Sequence, residues 1–128
     1  MREEEVAYIR ASGDFRTPNE IAELYGGEVS VWLRRLQKWK DDGAIFSIED
    51  QGIERFPIYA LDPGNSNGLN KALLKVLNIF GQSLSDWGIA SWFAGLNSYL
   101  DDQYPKDLLA LDPDWVVKAA HDAVNEIQ

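Results

Sequence analysis

A run of turn-forming residues interrupts the middle of this chain. Residues 62–68 read DPGNSNG and contain no large apolar side chain. Because such a run ends regular secondary structure and is typical of a linker, we expect two domains, residues 1–62 and residues 69–128, joined by a linker at residues 63–68. The chain has only 128 residues, of which 45% are hydrophobic, so each domain must be small.

The composition excludes several classes of function. The chain has no cysteine and one histidine, His121, which excludes disulfides, thiolate metal sites and cysteine nucleophiles. It has neither a phosphate-binding glycine loop nor a base with a nucleophile beside it, so we predict no catalytic residue, no metal and no cofactor, and the protein is not expected to be an enzyme. Without a long apolar segment or a leader peptide, we expect a cytoplasmic protein with no membrane contact.

The front half predicts two helices joined by a glycine turn. Residues 17–20 read TPNE, which combines an N-cap threonine, a proline at the first helical position and a glutamate that completes a capping box. This helix should end near Tyr25, before a pair of glycines. The second helix should run from about Ser30 to Asp42, with apolar residues at helical spacing. Two helices with a tight turn indicate a helix-turn-helix.

After Gly43 the pattern indicates strands. Residues 44–48 and 53–61 should form a hairpin around a polar turn at residues 49–52. Since Pro57 cannot donate a backbone hydrogen bond, its strand should lie at an edge of the sheet. The front half is therefore predicted to be winged helix-turn-helix-like, with one short β-hairpin as the only sheet.

The second front helix also carries the one basic cluster of the chain, Arg34, Arg35, Lys38 and Lys40. These side chains could contact DNA phosphates and bases, or they could form an ordinary solvated helix face. The net charge of −9 opposes non-specific binding to nucleic acids. Both interpretations therefore stay open.

The back half is predicted to be all-helical, which makes the fold mainly α. Helices are expected at residues 69–80 and 85–100, after Pro105, and after the N-cap pair Asp112-Pro113. Large apolar residues in each half should form a core of its own. For the front core these are Trp32, Leu36, Trp39, Phe46 and Phe56, and for the back core they are Leu73, Val76, Phe80, Trp92, Phe93, Leu96, Leu108 and Val116.

Three segments of the back half, residues 92–97, 100–109 and 115–120, resemble the C-terminal toxin-binding domain of the Xre/MbcA/ParS antitoxin family. That pattern has a tryptophan-containing helix, an asparagine, a leucine, a glycine-rich turn, a proline, two leucines and a closing helix. The front half is similar to the helix-turn-helix that often precedes this domain. The chain departs from the family where Asp102-Gln103-Tyr104 replaces the usual Gly-Gly-Arg before the proline, and its second helix is about one turn longer.

The resemblance implies an antitoxin-like, homo-oligomeric protein. It would bind and neutralise a cognate toxin protein, commonly of the RES-domain type, through its C-terminal half and would repress its own operon by binding operator DNA. The alternative is a transcription regulator with a C-terminal oligomerisation domain and no toxin partner. On the toxin-binding interpretation, the partner-binding residues are Asn97, Asp101, Asp102, Gln103, Tyr104, Pro105, Trp115, Lys118, His121 and Asp122.

Overall fold

The computed structural model describes residues 2–65 and 67–127. Met1, Ser66 and Gln128, which belong to the predicted front domain, linker and back domain, lie outside the described residues. The described chain is mainly helical, as predicted, with seven α-helices and three strands. The helices are α1 (Glu3–Ser12), α2 (Pro18–Tyr25), α3 (Val29–Asp41), α4 (Lys71–Phe80), α5 (Asp86–Ala94), α6 (Pro105–Leu111) and α7 (Pro113–Ile127). The strands are β1 (Phe15–Arg16), β2 (Ile48–Asp50) and β3 (Ile53–Pro57).

Capping contacts confirm the predicted helix starts at Thr17 and Ser85. Thr17 accepts a hydrogen bond from the Glu20 backbone N–H, and the Glu20 carboxylate accepts one from the Thr17 N–H, which completes the capping box. The side chain of Ser85 caps α5 by accepting from the Gly88 N–H. Helix α5 is shorter than predicted, because the chain becomes extended at Gly95.

The small sheet differs from the predicted hairpin in two respects. Its strand order is β1-β3-β2 and both pairs are antiparallel, so β1 adds a strand from outside residues 44–61. Strand β3 is central, so the prediction that Pro57 marks an edge strand is wrong. Pro57 is the last residue of β3, and the next backbone N–H, that of Ile58, donates to the Asp14 carbonyl at 2.8 Å. The missing proline donor therefore does not interrupt the pairing with β1.

The hairpin itself is also shorter than predicted. Residues 44–47 are not part of a strand, and the four-residue turn at 49–52 is reduced to Gln51 and Gly52. Both turn residues have positive φ, 55° and 80° respectively. A two-residue loop of this kind matches the twist of the flanking strands, which explains the tight connection.

The two halves share one hydrophobic core instead of forming two. The ring of Phe93 in α5 stacks on the ring of Phe46 with a centroid distance of 6.3 Å and lies 5.0 Å from the ring of Tyr59. Buried residues from Ile9 to Ala120 belong to a single cluster. The expectation of a separate core in each half is therefore wrong, whereas the division into domains at residues 1–62 and 69–128 stays a prediction.

Polar interactions also connect the two halves. The Lys106 Nζ atom lies 2.6 Å from the Asp14 carboxylate, and both side chains are largely buried. The indole N–H of Trp87 donates to the Glu49 carbonyl at 3.3 Å, which joins the hairpin to α5. Helix α1, for which the sequence yielded no prediction, also packs on α5.

The predicted core residues are buried with three exceptions. Trp39 and Trp92 are half-buried, whereas the side chain of Leu96 is 65% exposed. The placement of Leu96 in the core is therefore wrong. It follows from the early end of α5, because residues after Gly95 no longer continue the buried face of that helix.

One ion pair gives the fold a defined pH dependence. The Arg10 guanidinium donates two hydrogen bonds to the buried Asp50 carboxylate, at 2.9 and 2.7 Å, and these bonds lower the pKa of Asp50 below its ordinary value of 3.8. A lowered pKa in the folded state stabilises the protein above the unfolded-state pKa, and this contribution is lost as the pH falls through the folded-state pKa.

We therefore expect Asp50→Asn to lower the free energy of unfolding at pH 7 and to have progressively less effect as the pH falls below about 4. Urea denaturation of both proteins between pH 2 and 7 measures the difference. The exposed residue Glu23 supplies the control, since Glu23→Gln should not show this convergence. If Asp50→Asn lowers the free energy of unfolding by the same amount at every pH from 2 to 7, the ion pair with Arg10 is not the source of the pH dependence.

Candidate functional site

An open groove of about 480 Å³ lies between α5 and α7 on the helical half. Its volume is within the range of ligand-binding clefts. Its lining combines apolar and small side chains with a few polar ones. The lining residues are Leu84, Gly88, Ser91, Trp92, Leu96, Asn97, Ser98, Ala119, Asp122, Ala123 and Glu126.

Local structure explains the shape of the groove. On α5 the wall includes Gly88 and Ser91, and on α7 it includes Ala119 and Ala123, so short side chains leave the space between these helices open. Trp92 is held in place by edge-to-face contacts with Phe80 and Phe93, each with a centroid distance of 5.0 Å. The groove is therefore supported by the hydrophobic core beneath it.

The rim of the groove is apolar at one end and acidic along α7. Leu96 lies at the rim where α5 has ended, and most of its side chain is in contact with solvent. Asp122 and Glu126 lie one helical turn apart on α7. Among the described residues that line the groove, no lysine or arginine balances these two carboxylates.

Two of the ten predicted partner-binding residues, Asn97 and Asp122, line this groove. The Asn97 side chain accepts a hydrogen bond from the Tyr99 N–H, and its backbone forms a bridge with Gln103. The turn between Asn97 and Gln103 is formed by Asp101 and Asp102, whose φ values are 57° and 61°, respectively. These left-handed conformations suit glycine best, so both aspartates hold a backbone conformation that few other residues adopt.

The other predicted partner-binding residues lie outside the groove. Pro105 is buried at the start of α6, and the Tyr104 ring lies 5.8 Å from the Lys106 Nζ atom. Trp115 is half-buried against the core, whereas Lys118 and His121 are exposed on α7. The predicted set is therefore spread over the groove, a loop and the outer face of α7. The groove residues that sequence analysis missed include Leu84, Ser98 and Glu126.

The basic cluster on α3 is largely engaged within the protein. The Arg35 guanidinium lies over the rings of Trp32 and Trp39, at 4.7 and 5.0 Å from their centroids, and donates to the Asn67 carbonyl at 3.2 Å. Lys38 pairs with Asp42, and Lys40 pairs with Glu54 in β3. Arg34 is exposed and forms no hydrogen bond or ion pair with the described residues. The positive charge available to a nucleic acid is therefore smaller than the sequence suggests.

These contacts predict unequal losses of stability for substitutions at two neighbouring arginines. Arg35→Ala should lower the free energy of unfolding by about 1 kcal/mol, because cation–π contacts at partly exposed sites contribute about 0.5–1 kcal/mol each. Arg34→Ala, the matched control, should change it by less than about 0.5 kcal/mol, since the Arg34 side chain is exposed. Urea denaturation at pH 7 measures both. Equal effects of the two substitutions would show that the Arg35 contacts do not stabilise the fold.

No described helix has both the length and the apolar character needed to cross a membrane. In the same residues, no three histidine, aspartate or glutamate side chains come together as a metal-binding group. Comparison of the chain with family models, with curated proteins and with solved structures yields no match.

Proposed function

We propose that this protein is an antitoxin-like binding protein that neutralises a cognate toxin, of a type such as the RES-domain enzymes, through its helical half. The observation that carries the proposal is the groove between α5 and α7. Asn97 and Asp122, both assigned to partner binding, line it together with Trp92 and the exposed Leu96. Aromatic side chains are enriched in protein–protein contacts, and exposed apolar surface beside them is typical of interaction sites.

A second part of the proposal concerns the front half, which we take to be a winged helix-turn-helix that represses the operon of the protein. It is supported by the order α1-β1-α2-α3-β2-β3, in which the helix pair α2–α3 is followed by a hairpin. In such an arrangement α3 would lie in the major groove of operator DNA. The protein would act in the cytoplasm as a homo-oligomer, and the absence of cysteine suits a reducing compartment.

Co-expression tests the toxin-binding part. The full chain is expressed with the adjacent reading frame of its operon, and growth and co-purification are measured. We expect the neighbour to be toxic alone, harmless with this chain, and co-purified with it. A neighbour that is harmless alone and never associates with the chain would overturn the antitoxin proposal in favour of a transcription regulator whose helical half only oligomerises.

The DNA-binding part is tested by the salt dependence of operator binding. Since Arg34 is the exposed cation of α3 without a partner among the described residues, Arg34→Ala should reduce the slope of log K against log[salt] by about one unit. Lys71→Ala on α4, another exposed cation, is the control and should leave the slope unchanged. An unchanged slope for Arg34→Ala would exclude this face of α3 as the DNA contact.

A further inference from the structure

We infer that the groove between α5 and α7 binds a positively charged amphipathic helix of the partner protein. This inference rests on the proposed function, because it assigns the chemistry of the partner to the same site. Its first support is shape: the groove is open along two helices, and short side chains at Gly88, Ser91, Ala119 and Ala123 allow the backbone of a third helix to approach. Helices bind such grooves through apolar side chains at positions i, i+3, i+4 and i+7.

The apolar contacts available match one face of a helix. Trp92 and Leu84 contribute apolar surface inside the groove, and Leu96 extends that surface beyond the end of α5. Leu96 is a large apolar residue, yet it is 65% exposed. A partner side chain that covered it would bury its surface without any rearrangement of the core.

The charge of the groove determines which amphipathic helix fits. Asp122 and Glu126 lie on the α7 wall, and among the described lining residues no cation opposes them. The whole chain carries a net charge of −9, so an acidic helix would be repelled both locally and at a distance. A helix with lysine or arginine beside its apolar stripe would be attracted by the same field and could pair with both carboxylates.

A direct test uses the full chain and synthetic helical peptides as probes. One peptide carries leucines at i, i+3, i+4 and i+7 with flanking lysines, and its matched control has every lysine replaced by glutamate. Fluorescence anisotropy measures affinity, and amide chemical shifts of the labelled protein locate the binding site. We expect the lysine peptide to bind, to shift the amide signals of α5 and α7 around Ser91 and Ala119, and to bind more weakly at high salt.

Substitutions in the groove then separate the electrostatic contribution to peptide binding from the apolar contribution. Asp122→Asn with Glu126→Gln should weaken lysine-peptide binding about five- to ten-fold and remove most of its salt dependence. Glu3→Gln with Glu23→Gln changes the net charge equally at exposed positions outside the groove and should have little effect. Leu96→Ser should weaken binding about ten-fold, whereas Leu111→Ser, at an exposed leucine outside the groove, should not.

The possible outcomes distinguish this inference from the proposed function. Equal binding of both peptides, or shifts confined to another surface, would overturn the inference. So would self-association of the chain that Leu96→Ser abolishes in sedimentation experiments, because the occupant would then be a second copy. If the neighbouring toxin binds the wild-type chain and both groove variants equally well, the inference fails and the antitoxin proposal survives. If the lysine peptide binds as expected but the neighbour is not a toxin, the groove assignment stands and the antitoxin proposal fails.

Discussion

Replacing Phe93 with alanine is expected to unfold both halves of the protein together. The Phe93 side chain is 0% exposed and contacts Phe46 and Tyr59 of the front half as well as Trp92 in its own helix. Removal of a buried phenylalanine ring costs about 3–5 kcal/mol. Because a small protein has a total stability of only about 5–15 kcal/mol, we expect a large loss that both halves share.

Urea denaturation measures this loss of stability, and hydrogen exchange shows which helices lose amide protection. In the Phe93→Ala variant, amides of α2 and α3 should lose protection together with those of α4 and α7, although the substitution lies in α5. Leu111→Ala, at a side chain that is 80% exposed, is the control and should change stability by less than about 0.5 kcal/mol. Retention of full protection in α2 and α3 would mean that the front half folds without the back half.

The second large effect is expected at Asn70, a polar residue with only 7% exposure. Its Oδ1 atom accepts from the Ala72 N–H and so caps α4, while its Nδ2 group donates to the Leu109 carbonyl in α6, both at 2.9 Å. Asn70→Ala removes the cap, which costs about 1 kcal/mol, and leaves a buried carbonyl without its donor, which costs about 1–3 kcal/mol. We therefore expect a loss of about 2–4 kcal/mol.

Asn70→Asp separates the two contributions. Aspartate keeps the oxygen that caps α4, but it lacks the amide donor and places negative charge against the Leu109 carbonyl. It should therefore destabilise about as strongly as alanine, although aspartate is as good an N-cap as asparagine. Asn78→Ala, at an exposed asparagine in the same helix, should be neutral or slightly stabilising, since alanine favours helix. If Asn70→Asp is as stable as the wild type, the bond to Leu109 contributes nothing.

Sequence patterns predict only some of the residues that line the candidate site. The resemblance predicts Asn97 and Asp122 as partner-binding residues, and both line the groove. Helical spacing, in contrast, predicts a core position for Leu96, which is exposed, and no sequence pattern points to Glu126. The glycine before Leu96 was the available signal, because glycine often ends a helix. Without that boundary, helical spacing continues through Leu96 and predicts burial on the same face as Trp92.

The basic cluster on α3 shows a second kind of limit. Sequence spacing correctly indicates that Arg34, Arg35, Lys38 and Lys40 share a helix, but it does not identify their partners. Arg35 bonds to the Asn67 carbonyl and Lys40 to the Glu54 carboxylate. Both partners come from other parts of the chain, so the availability of these cations is a tertiary property.

What the sequence by itself determined is local: the capping box at Thr17, the caps at Ser85 and Asp112, and the helical class that follows from them. These features depend on contacts within one helical turn, so a few neighbouring residues specify them. Only the tertiary structure decided that β1 pairs with β3 and that Phe93 packs on Phe46, so that the two halves share one core. Strand pairing and side-chain burial depend on contacts between segments that are distant in the sequence. The free energy that stabilises these contacts comes from the whole buried core and not from a few neighbouring residues.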